Sequence, residues 1–132
     1  MAKKKLMQPA PEGRGWTTEE ANFAEITYKR TLFLMQVCDF PVIPNEYADS
    51  MWHQHILDTH QYPVDCIRVF GKFIHHYPFF GLRSTQDAEA LTEASVKTRE
   101  AYEARYGEPY ARPDGTSLSC QACAWIDIAP DL

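Results

Sequence analysis

Prolines and helix-capping residues divide this chain into stretches that are each about one helix long. Pro41 and Pro44 bracket an extended link, because a proline disfavours helical backbone at the residue before it. Pro63 suits the first turn of a helix, where its missing N–H costs little, and Pro78 stops the stretch that follows. Between these breaks, apolar residues recur at helical spacing. Thr17 with Glu20 three positions later is a capping-box pattern, and Phe23, Ile26, Phe33 and Val37 follow it. Asn45 can cap a second helix with Ala48, Met51, Trp52 and Ile56 on one face. Cys66, Ile67, Phe70, Phe73, Ile74 and Tyr77 line a third. Ser84 with Asp87 opens a fourth, and Gly107 is its natural stop.

The pattern predicts an all-α fold, a compact bundle of about four helices over residues 18–38, 45–59, 63–76 and 85–106. Residues 1–15, with Lys3, Lys4 and Lys5, read as a flexible basic tail. Residues 16–107 form the histidine-rich helical domain. Residues 108–132 are an irregular segment packed on it, with room for one short strand. The 132 residues suit a single domain with its own core. No apolar run is long enough to span a bilayer. The net charge of −5 and the lack of a clustered basic patch argue against nucleic acid as a partner. No apolar segment of the signal-peptide kind follows the lysines, so the expected compartment is the cytoplasm, with free or metal-bound thiols. The many aromatic residues leave a homodimer open.

All five histidines fall between positions 53 and 76. On a strand, the His53-x-His55 pair would point one way and could clamp one ion. On a helix the two diverge by about 200°, so one ordinary helix cannot aim both at a single point. The helical reading therefore assigns His55 to the buried face and His53 to the flank. A helical hairpin could bring His55 and His76 together, with His53, Asp58 or Cys66 completing a metal site. Imidazole, carboxylate and thiolate are the donors that take zinc, iron or copper. Against this stands the plainer role of a core histidine bonded to a carbonyl or carboxylate, with Asp58 acting as a local cap and Cys66 as a small buried hydrophobe. Cys120 and Cys123 form one CxxC pair. It could be a second site, completing ligands, a redox dithiol or an incidental pair. Phosphate-loop, dinucleotide, serine-hydrolase and HExxH signatures are absent.

The string WHQHILDTHQYPVDCIRVFGKFIHHYPFFG, from Trp52 to Gly81, resembles the glycine-rich domain-containing protein-like family, and the resemblance extends over about Trp16–Tyr106. The family's pattern falls on Trp52, His53, His55, Asp58, Thr59, Tyr62, Asp65, Cys66, Phe70, Gly71, His75 and His76. The resemblance implies that the histidines belong to a recurrent motif. It names no reaction, and the glycine-rich tail does not carry over to a chain with six glycines. Three roles are therefore expected: a metal-binding helical domain, a metal-dependent oxidoreductase or hydrolase acting on a small molecule or peptide, or a non-catalytic module that docks an as yet unknown protein.

Overall fold

The computed structural model describes residues 2–9, 13–77, 80–110 and 124–125. Five helices lie among them: α1 Ala2–Met7, α2 Thr18–Val37, α3 Glu46–Leu57, α4 Gln61–Phe70 and α5 Thr85–Tyr106. The all-α bundle is as expected, and three of these five helix starts are capped by the residues the sequence points to. Thr17 and Glu20 close a reciprocal capping box, with Thr17 Oγ1 accepting from the Glu20 N–H at 3.1 Å. Asn45 Oδ1 accepts the Ala48 N–H at 2.8 Å and Ser84 Oγ the Asp87 N–H at 3.0 Å. Cys120 and Cys123 lie outside the described residues.

Two expectations need correction. The lysine segment forms helix α1, with Leu6 only 2% exposed. Burial of that leucine holds it, and Lys3 pairs with Glu25 of α2 at 2.8 Å. The third helix spans 61–70 instead of 63–76. Gly71 caps it with φ 74, a left-handed backbone that favours glycine, and donates its N–H to the Ile67 carbonyl. The chain then runs extended, and His76 falls in β1, His76–Tyr77. This pair runs antiparallel to β2, Ala124–Trp125, with His76 opposite Trp125.

The core centres on Trp52, Tyr62, Leu34, Ile74, Val42 and Tyr102, all fully buried. Helix α2 turns an unexpected face inward. Ala21, Ala24, Thr27, Tyr28 and Thr31 are buried, while Ile26, Phe33 and Val37 are exposed. Leu32, Leu34 and Met35 are buried as well, and the hydroxyls bond within the core. Thr27 Oγ1 lies 3.3 Å from the Tyr102 hydroxyl, and Thr31 donates to the Thr27 carbonyl at 2.7 Å.

Tyr110 fastens the end of the described domain to the start of α3. Its hydroxyl accepts from the Asn45 N–H at 2.8 Å and donates to the Ile43 carbonyl at 3.0 Å. Tyr110→Phe should therefore lower unfolding free energy by about 1–3 kcal/mol, because two buried backbone groups lose their partner. Urea denaturation of the two proteins measures this; a change under about 0.5 kcal/mol would contradict the assignment.

The turn into α5 carries its own pH dependence. Arg83 forks onto Asp87 with contacts of 3.0 and 2.6 Å, and the Gly81 N–H donates to the same carboxylate at 2.6 Å. The guanidinium holds the Asp87 carboxyl down to about 2. Its folded value lies below its unfolded one, so its stabilising contribution is complete above the ordinary carboxylate range near pH 4. It is lost as pH falls from there through about 2. An NMR titration of the Asp87 side-chain carbon should give a midpoint well below those of exposed aspartates. An ordinary midpoint would refute the pairing.

Candidate metal centre

Helix α3 supplies two of the candidate ligands. The Asn45 cap fixes its first turn, and Asp49 and His53 follow four residues apart, so both project from one side. The third, His76, arrives on β1 because the chain leaves α4 at Gly71 and returns across α3. Its ring lies edge-on to Trp52, with centroids 4.4 Å apart.

The three side chains converge. His76 Nε2 is 2.9 Å from Asp49 Oδ1 and 3.2 Å from His53 Nε2, and His53 Nε2 is 3.4 Å from Asp49 Oδ1. Four donors around a tetrahedral zinc at roughly 2.0–2.1 Å stand about 3.3 Å apart, and cis donors of an octahedral ion about 3.0 Å apart. The observed triangle has those dimensions. The point equidistant from its corners is about 1.8 Å from each, near the zinc–ligand distance, so Asp49, His53 and His76 could together hold an ion of that size. The side chains of Asp49 and His76 are each 9% exposed, while that of His53 is 45% exposed. Two of the candidate ligands thus form the floor, and the third stands at a mouth open to solvent. Partial burial holds the His53 imidazole below its ordinary range, against the pull of Asp49, with His76 and Arg14 adding to the lowering. The neutral ring is the form that ligates a metal.

A family model described as UCP032817-like matches residues 20–101, more than half of the chain. The chain belongs to the UCP032817-like family. Comparison with curated proteins and with solved structures finds no match. The UCP032817-like segment contains Asp49, His53 and His76, and ends before Cys120 and Cys123.

The sequence-predicted ligands divide between two places. His53 and His76 meet at the triangle. His55 points elsewhere, with Nδ1 2.7 Å from the Tyr28 hydroxyl and Nε2 2.7 Å from Asp65 Oδ2. The proposed His55–His76 centre rested on a helix through residue 76. With α4 ended at Gly71, the two rings have different partners. Asp58 caps the start of α4, its Oδ1 accepting the Gln61 N–H at 3.1 Å. Cys66 is buried on α4 and forms no disulfide. His60 is exposed, and His75 packs on Phe73. Asp49 is the residue that sequence reasoning missed. Its signal was available: it stands one helical turn before His53 and shares its side of α3.

Proposed function

We propose that this UCP032817-like protein is a metal-binding domain in which Asp49, His53 and His76 hold one zinc or ferrous ion. The mutual approach of two imidazole nitrogens and one carboxylate oxygen within 3.4 Å carries this reading. Two imidazoles and one carboxylate are the donor set of open zinc sites and of non-haem ferrous sites. Copper, the third metal of the sequence expectation, also takes imidazole donors. In the same reading, the likeness of the Trp52–Gly81 string to the glycine-rich domain-containing protein-like family makes His53 and His76 parts of a recurrent pattern, and the compartment is the cytoplasm. Elemental analysis of protein purified without added metal tests the proposal, followed by titration with zinc and, anaerobically, with ferrous iron. About one ion per chain, lost in Asp49→Ala, supports it. Less than about 0.1 ion per chain with no tight binding on titration overturns it.

A second reading, a metal-dependent enzyme, draws on the exposure of His53. Three protein donors leave a position for water or substrate on the solvent side. An ion there would supply a Lewis acid and an activated water if it is zinc, or one-electron chemistry if it is iron. Azide binding to the cobalt-substituted protein, read from visible absorption, tests for the open position. An unchanged spectrum would remove the catalytic reading and leave a closed site. If the histidines only organise a polar core for a protein partner, His55→Gln and His76→Gln both impair folding and neither alters metal content.

A further inference from the structure

A second polar cluster lies on the other side of α3, away from the three candidate ligands. Asp65 Oδ2 meets His55 Nε2, and His55 Nδ1 meets the Tyr28 hydroxyl, each at 2.7 Å. The proton positions follow from the chemistry. A carboxylate only accepts, so His55 Nε2–H donates to Asp65. In the neutral ring Nδ1 then carries a lone pair, and the Tyr28 O–H donates to it. Asp65 is fixed from behind, its Oδ1 accepting from Gln61 Nε2 at 2.6 Å and from Arg68 at 3.1 Å. Tyr62 stands edge-on to the His55 ring at 4.8 Å. Tyr28 is 6% exposed and its burial keeps the phenol protonated. The chain therefore has a fixed direction, and the Tyr28 oxygen retains acceptor capacity.

Tyr28, His55 and Asp65 all line one cavity of about 640 Å³. Its other walls include the apolar Leu32, Phe33, Met51, Val69 and Phe70, and the charged Lys3, Glu25, Lys29, Asp58 and Arg68 also border it. A concave, mostly apolar space of a few hundred cubic ångströms with a few oriented polar groups is the usual form of a small-molecule site. Asp49, His53 and His76 do not line it. We propose that this cavity binds a small, largely apolar molecule carrying one hydroxyl group, with the hydroxyl donating to the Tyr28 oxygen and the Tyr28–His55–Asp65 chain holding that oxygen in place. His55 and Asp65 are positioning residues here, and no bond is made or broken.

The probes are 2-naphthol and its methyl ether, which share a shape and differ in the O–H donor. A site built around an acceptor discriminates against a ligand that lacks the donor. Binding is read from the Met51 methyl and His55 ring signals in two-dimensional NMR. 2-Naphthol should bind at least about tenfold more tightly than the ether. Tyr28→Phe should abolish that preference while both probes still move the Met51 methyl signal. Val69→Trp, a substitution at an exposed position of the wall, should weaken both probes and keep the fold even if Tyr28→Phe does not. Equal affinities in the wild-type protein overturn the proposal. So does a preference that survives in Tyr28→Phe, or an unmoved Met51 signal with either probe. Concentration-dependent shifts of the same signals without probe would mark a second copy of the chain as the occupant, and would overturn it too.

Discussion

Replacing His76 by alanine should lower zinc affinity by about 100-fold or more, whereas replacing His55 by alanine should leave it within a few-fold. Loss of a supporting contact around a metal typically costs 10–100-fold, and His76 would be a direct ligand, its Nε2 forming the corner of the triangle nearest the other two donors, at 2.9 and 3.2 Å. Competition with a chromophoric chelator gives both numbers. His55 is the informative control because it is only two positions from His53 on the same helix. A site made of clustered histidines without fixed geometry would lose affinity in both variants. Comparable losses would therefore refute the triangle. Asp49→Asn adds a finer test. It keeps an oxygen donor in place but removes the negative charge that offsets the ion, so affinity should fall while the fold is retained.

Trp52→Ala should lower unfolding free energy by about 3–5 kcal/mol, the usual cost of truncating a buried tryptophan. For a domain of this size that is a large share of the total. Trp52 is fully buried, its ring supports His76, and its Nε1–H donates to the Tyr62 hydroxyl at 2.9 Å. The Tyr62 hydroxyl in turn donates to the Ile74 carbonyl at 2.5 Å. One side chain thus ties α3 to α4 and to the strand approach that delivers His76. Trp52→Phe keeps most of the apolar contact and leaves Tyr62 without its donor, so its cost should be nearer 1–2 kcal/mol. Chemical denaturation followed by circular dichroism measures both. Equal costs would mean that the indole N–H contributes nothing.

The helices were largely legible because their ends are written in local chemistry. Thr17, Asn45, Ser84 and Gly107 act on backbone groups a few residues away, and such signals need no tertiary information. The inward face of α2 was not legible. Its bulky residues Ile26, Phe33 and Val37 are exposed, and the core side instead carries Ala21, Ala24, Thr27 and Tyr28, followed by Thr31, Leu32, Leu34 and Met35. Extending the third helix to residue 76 followed apolar spacing past Gly71, where the backbone turns left-handed. That extension put His76 on a helical face it does not occupy, and led to pairing it with His55. The divergence of His53 and His55 on a helix was legible, and the two do serve different clusters. Asp49 carries no motif of its own in the sequence, and only its one-turn spacing from His53 marks it.

The strand approach after Gly71 has one more consequence. His53 and His76 are 23 positions apart, and the chain between them contains the whole of α4. An ion held by both would close that stretch into a loop and act as a staple between residues distant in sequence, restricting the loop's freedom. Helix α4 packs mainly on α3 and leaves Val64, Ile67 and Val69 facing outward, so it has few other anchors. The ion's effect would then be mechanical as well as chemical. It would slow the local opening of α4, the helix that carries Asp65 and one wall of the cavity, without touching that cavity at all.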